Sequence, residues 1–77
     1  MDWLHAIVSS LADRSGVEAD ALLPSAEERR ALLDVARVAS HASGERTNAP
    51  LLCYVLGRLA AGGGSLTDAI AIVEEHA

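Results

Sequence analysis

Apolar positions recur at helical spacing from the first residues onward. Leu4, Ile7, Val8 and Leu11 fall at i, i+3, i+4 and i+7, while Asp2, Ser9, Ser10 and Asp13 take the other side. That pattern predicts an amphipathic helix over roughly 2–14. Gly16, just after Arg14 and Ser15, is the stop signal and a candidate left-handed cap. Asp2 and Arg14 at the two ends also match the helix dipole. The stretch from Val17 to Leu23 is too short to nucleate a helix alone, so one or two turns near 18–23 are expected, pinned by Val17, Leu22 and Leu23. Pro24 closes them.

Ser25-Ala26-Glu27-Glu28 has the form of a capping box, in which Ser25 takes the amide three residues on and Glu28 reaches back. From there the pattern runs unbroken over about 26–42, with Leu32, Val35, Ala36 and Ala39 on one face, broadened by Leu33 and Val38. Glu27, Arg30, Asp34, Arg37 and His41 form a ladder of alternating charge on the same segment. Each such pair is worth about 0.2–0.5 kcal/mol on an exposed helix. Ser43 to Asn48 reads as a loop, with Thr47 or Asn48 as the next N-cap and Pro50 near the first helical positions. Leu51, Leu52, Val55, Leu56 and Leu59 then give a helix over 49–62 a broad apolar face, with Tyr54 and Arg58 off its centre. Gly62-Gly63-Gly64 ends it. Ser65-Leu66-Thr67-Asp68 is a second box of the same kind, and Leu66, Ala69, Ile70 and Val73 carry a last helix over 66–76.

No segment alternates as a strand would, so the fold class expected is all-α: a compact bundle of about four helices and a short turn, forming one domain over 1–77. Of the 77 residues 51% are apolar; 15 are Ala, and there is no Phe, one Trp and one Tyr, so the interior must be thin and aliphatic. That apolar fraction excludes intrinsic disorder, and one Cys excludes a disulfide scaffold or a cysteine-built zinc site. The net charge of −5 argues against nucleic acid and anionic membrane surfaces, which attract clustered cations. All six basic residues are Arg, which together with the Ala content reads as the codon bias of a GC-rich genome. No basic region opens the chain and no apolar run reaches the roughly 18–20 residues of a bilayer span, so a cytoplasmic location is expected, with Cys53 a buried thiol.

Candidate chemistry is sparse. His5, His41 and His76 lack metal-ligand spacing, and no cofactor is implied. Cys53 with His41 as base is a conceivable nucleophile, but a thiol between Leu52 and Tyr54 reads better as a core residue. Gly62-Gly63-Gly64-Ser65 resembles a crude anion cradle without a Lys or a preceding strand, and is better explained as a turn with an N-cap. A last helix carrying Asp68, Glu74 and Glu75 and no Arg does not suit a DNA groove. What remains is Arg37, His41, Arg46 and Tyr54, which antiparallel packing would gather at one end of the domain as a site for an anion or an acidic partner. Ordinary pairing of Arg37 with Asp34 and of Arg46 with Glu45 accounts for the same residues.

The run Leu32 to Ser43, followed by Arg46, Ala49-Pro50-Leu51 and Gly57, with the opening Asp2-Trp3-Leu4, resembles a small actinobacterial domain family of unknown function. Its members occur alone or appended to a guanylyltransferase-like nucleotidyltransferase of molybdenum-cofactor biosynthesis. The resemblance spans Trp3 to about Gly62 and implies an accessory helical module with no catalytic residues to carry over. Lacking a nucleotidyltransferase domain of its own, the chain would dock in trans on that enzyme or its cofactor-loaded product.

The function expected is therefore a non-enzymatic interaction domain, whose partner surface uses the Arg37, His41, Arg46 and Tyr54 end or an apolar patch around Trp3. A small anion or pterin phosphate held at the Asn48 helix start is the alternative, and self-association through helix faces is a third.

Overall fold

The computed structural model describes residues 2–77 and shows five helices: α1 (Trp3–Ser15), α2 (Ala19–Leu22), α3 (Ala26–Ser43), α4 (Asn48–Ala61) and α5 (Leu66–Glu75). There is no strand among the described residues, and the chain is an all-α bundle. Local signals account for the helix ends. The Asp2 carboxylate accepts the His5 amide at 2.9 Å, and Gly16, with φ 78°, closes α1 through its amide on the Ala12 carbonyl. The Ser25 box is complete: the Glu28 amide donates to Ser25 Oγ at 3.1 Å and the Ser25 amide to Glu28 Oε1 at 2.8 Å. Gly44 repeats the left-handed stop on α3.

Two ends depart from expectation. Thr47 holds the cap position of α4 in helical conformation without a side-chain hydrogen bond, because the preceding turn already feeds the Asn48 and Ala49 amides to the Glu45 and Arg46 carbonyls. At α5, Ser65 Oγ accepts the Asp68 amide at 3.1 Å, but no return bond from the shorter Asp68 side chain forms, so the second box is half made.

The core lies where α3, α4 and α5 meet. Val35, Leu56 and Ala69, one from each helix, are buried, with Leu32, Leu52, Leu66, Ile70 and Val73 packed around them. Helix α1 pairs with α2 at the side of this trio. It buries Val8, but Ile7 and Leu11 of the expected stripe stay exposed, since no helix crosses that side of α1. An Arg29–Asp2 pair at 3.9 Å ties α1 to α3, and α2 closes over a cleft of about 440 Å³ shared with α4.

Burial is low for the size. A folded monomer of 8.0 kDa exposes about 4,450 Å² by surface scaling, whereas this chain exposes 5904 Å². Its radius of gyration is 13.4 Å, against about 11.5 Å for a typical domain of this length.

Candidate functional site

Helix α4 contributes two faces. Leu56, with Leu52 and Cys53 beside it, turns toward the core. Leu51, Tyr54, Val55, Arg58 and Leu59 follow at i, i+3, i+4, i+7 and i+8 on the outward side, a continuous stripe by helical geometry. Leu51 is 62% exposed, Tyr54 66% and Val55 57%. Beside this stripe runs a groove of about 390 Å³ between the carboxyl ends of α3 and α5 and the start of α4. Val38, Ala42, Leu51, Leu52, Val55 and Val73 supply its apolar walls, and Ser43, Asn48 and His76 its polar edges. No Asp, Glu or Arg lines it. The Arg58 guanidinium lies 5.5 Å from the centre of the Tyr54 ring, a cation–π contact at the outer margin of the stripe.

The four residues of the expected cluster are all exposed, on α3, in the loop after it and on α4. Arg37 is engaged by Asp34 at 3.0 Å, the one rung of the α3 ladder closed by an ion pair among the described residues. His41 follows one turn later on the same outward face, about 120° from Val35, and Arg46 is exposed in the loop. Tyr54 points about 160° away from Leu56, so it faces out from α4 toward Arg58 rather than toward α3. No hydrogen bond or ion pair joins Arg37, His41, Arg46 and Tyr54 among the described residues. The pairing of Arg46 with Glu45 is likewise not formed. Trp3 is 76% exposed on α1, in line with Ile7 and Leu11.

The groups considered for chemistry are mostly occupied. The Gly62, Gly63 and Gly64 amides donate to the Arg58, Ala60 and Leu59 carbonyls at 3.0, 3.1 and 2.9 Å, so this run finishes α4 instead of cradling an anion. At the start of α4, the Asn48 and Ala49 amides are used and Pro50 has none, leaving little of the donor row that anion binding requires. Cys53 is partly buried in the α2–α4 cleft, where Glu28 is the one ionisable neighbour and no His is present. Asp2 is held below the ordinary carboxylate range, first by the His5 backbone amide and then by the His5 ring at 2.8 Å. No set of three His, Cys, Asp or Glu is placed to hold a metal, and no helix is long and apolar enough to cross a membrane, among the described residues.

Leu51 and Val55 are functional candidates that the spacing alone assigned to the core. The signal was present in the width of the α4 face: its five large aliphatics span about 140° of arc, more than one neighbouring helix covers. Compared with protein-family models, curated proteins and solved structures, the chain matches none.

Proposed function

We propose that this chain is a non-enzymatic protein-interaction domain that docks an apolar, uncharged helical surface on the outward stripe of α4 and the groove beside it. The observation that carries this reading is the exposure of Leu51 and Val55 along a groove with no charged lining. Fully covering a Leu or Val side chain is worth about 1.5–3 kcal/mol, so such a stripe supplies a strong driving force to any partner that fits it. An acidic or phosphate-bearing partner would find no Arg in the groove and only Arg58, stacked on Tyr54, at the margin of the stripe, whereas a helix presenting Leu, Ala or Val would bury apolar surface without desolvating a charge. A molybdenum-cofactor nucleotidyltransferase is the partner that the family resemblance implies.

The test is site-specific photocrosslinking in the native host, with a photoreactive residue at Leu51 and a control at Glu18. A discrete adduct from position 51, mapped to an apolar helical face of its partner and missing from position 18, is the expected result. No adduct from position 51, or equal labelling from both, overturns the reading.

A further inference from the structure

We infer that the occupant of this face is a second copy of the same chain, with α4 packed antiparallel on α4 about a twofold axis near Val55; this rests on the docking reading above. The first support is area. The chain exposes about 1,450 Å² more than a monomer of its mass should, and a stable interface removes about 800 Å² from each partner, more when the dimer is obligate. Four buried residues are few among the described residues 2–77, and domains this small commonly complete their cores by association.

The second support is self-complementarity. A twofold interface must match a patch to itself. With Val55 on the axis, Leu51 of one copy lies opposite Leu59 of the other, and each Leu59 enters the groove beside the other copy's Leu51. The pattern repeats identically on both sides.

Charge sets the direction. The chain carries a net −5, yet α4 contains no acidic residue and one cation, Arg58. Joining through α4 thus keeps the carboxylates of the other helices off the seam. A parallel pair would set the two Arg58 side chains abreast. The antiparallel pair separates them by about 9 Å along the helix axis and also opposes the helix dipoles.

Sedimentation equilibrium of the full chain between about 5 and 200 µM tests this directly, because association is governed by mass action. The expected species is a dimer of twice 8.0 kDa. Val55→Asp should raise the dissociation constant by about a hundredfold or more, since the twofold axis would set two carboxylates against each other in the seam, and Leu51→Ala should weaken it by at least about tenfold through lost apolar burial. Both positions are exposed, so helical circular dichroism should persist. Ile7→Asp on α1 should leave the dimer intact. In a Cys53→Ser background, Val55→Cys should oxidise to a disulfide-linked dimer, because the axis brings the two positions within bridging distance.

A monomer across the concentration range overturns the inference, as does a dimer that survives Val55→Asp. Failure of the disulfide to form rejects the antiparallel register. A monomer whose position 51 still crosslinks a different protein refutes the second copy while sparing the docking reading; a monomer with no adduct removes both.

Discussion

Replacing Leu56 by Ala removes three carbons from a side chain that is 3% exposed and touches the meeting point of α3, α4 and α5. At about 0.8 kcal/mol per buried methylene, the transfer cost alone is about 2.4 kcal/mol. The cavity left between Val35 and Ala69 adds to it, since neither small neighbour can grow to fill the gap, bringing the total to about 3–5 kcal/mol. The gain in helix propensity from Leu to Ala is a few tenths and does not change the sign. A chain of 77 residues has about 4–12 kcal/mol of stability in all, and one with so small a buried core belongs at the lower end. The variant should therefore lose most of its urea resistance, and its melting temperature should fall by at least about 12 °C. Leu33→Ala, at a position 72% exposed, should stay within about 0.5 kcal/mol of the parent. Urea titrations followed by circular dichroism, at one fixed chain concentration, measure both. A cost below about 1 kcal/mol at Leu56, or equal costs at the two positions, would refute the assignment of the core.

Two glycines should respond in opposite directions. Gly57 lies inside α4 with open space where a Cβ would go, so Gly57→Ala should stabilise by about 0.5–1 kcal/mol; at Gly64 a Cβ would stand 2.7 Å from Leu59 Cγ and 3.0 Å from its carbonyl oxygen, so Gly64→Ala should cost about 1–3 kcal/mol in thermal melts. Ser25→Ala removes the hydroxyl that accepts the Glu28 amide, leaves the backbone amide of residue 25 free to donate to Glu28 Oε1, and should cost about 1 kcal/mol, with faster amide exchange in the first turn as the local readout. Asp2 has a folded pKa below its unfolded one, so its contribution is present above the ordinary carboxylate range and lost as pH falls through the folded value. Melting curves across that acidic interval should show α1 loosening with acidification, and Asp2→Asn, which keeps an N-cap acceptor, should flatten the dependence.

Shortage of burial links the fold to its proposed role. In α1, Trp3, Ile7 and Leu11 form a second exposed stripe, because α2 has a single turn and covers only the Val8 side. The Ile7→Asp control asks whether that stripe carries the same partner as α4. Its outcome also bears on how α1 is held, since one ion pair at 3.9 Å between exposed groups contributes little by itself.

Much of the architecture was legible from local chemistry. Gly16 and Gly44 terminate helices because a residue there must enter the left-handed region, and Ser25 starts one because its hydroxyl and Glu28 close a ring of two hydrogen bonds. Such interactions reach across three or four residues, so they can be read along the chain with no knowledge of its neighbours. The spacing of Val35, Leu56 and Ala69 likewise marked them as inward positions.

Which edge of each apolar arc is covered could not be read that way. Leu51 and Leu56 both belong to the aliphatic face of α4, yet Leu56 is buried and Leu51 is 62% exposed, because α3 and α5 both pack on one side of that helix. Nor could periodicity say which groups Arg37 and Tyr54 would engage: Arg37 pairs with Asp34 and Tyr54 lies against Arg58, each within its own helix. Capping and helical period are properties of neighbours in sequence, whereas helix rotation is settled by how side chains from distant segments interlock. For this protein the chain alone determined the helices and their ends, and the packing of α3, α4 and α5 decided which hydrophobic residues were left for a partner.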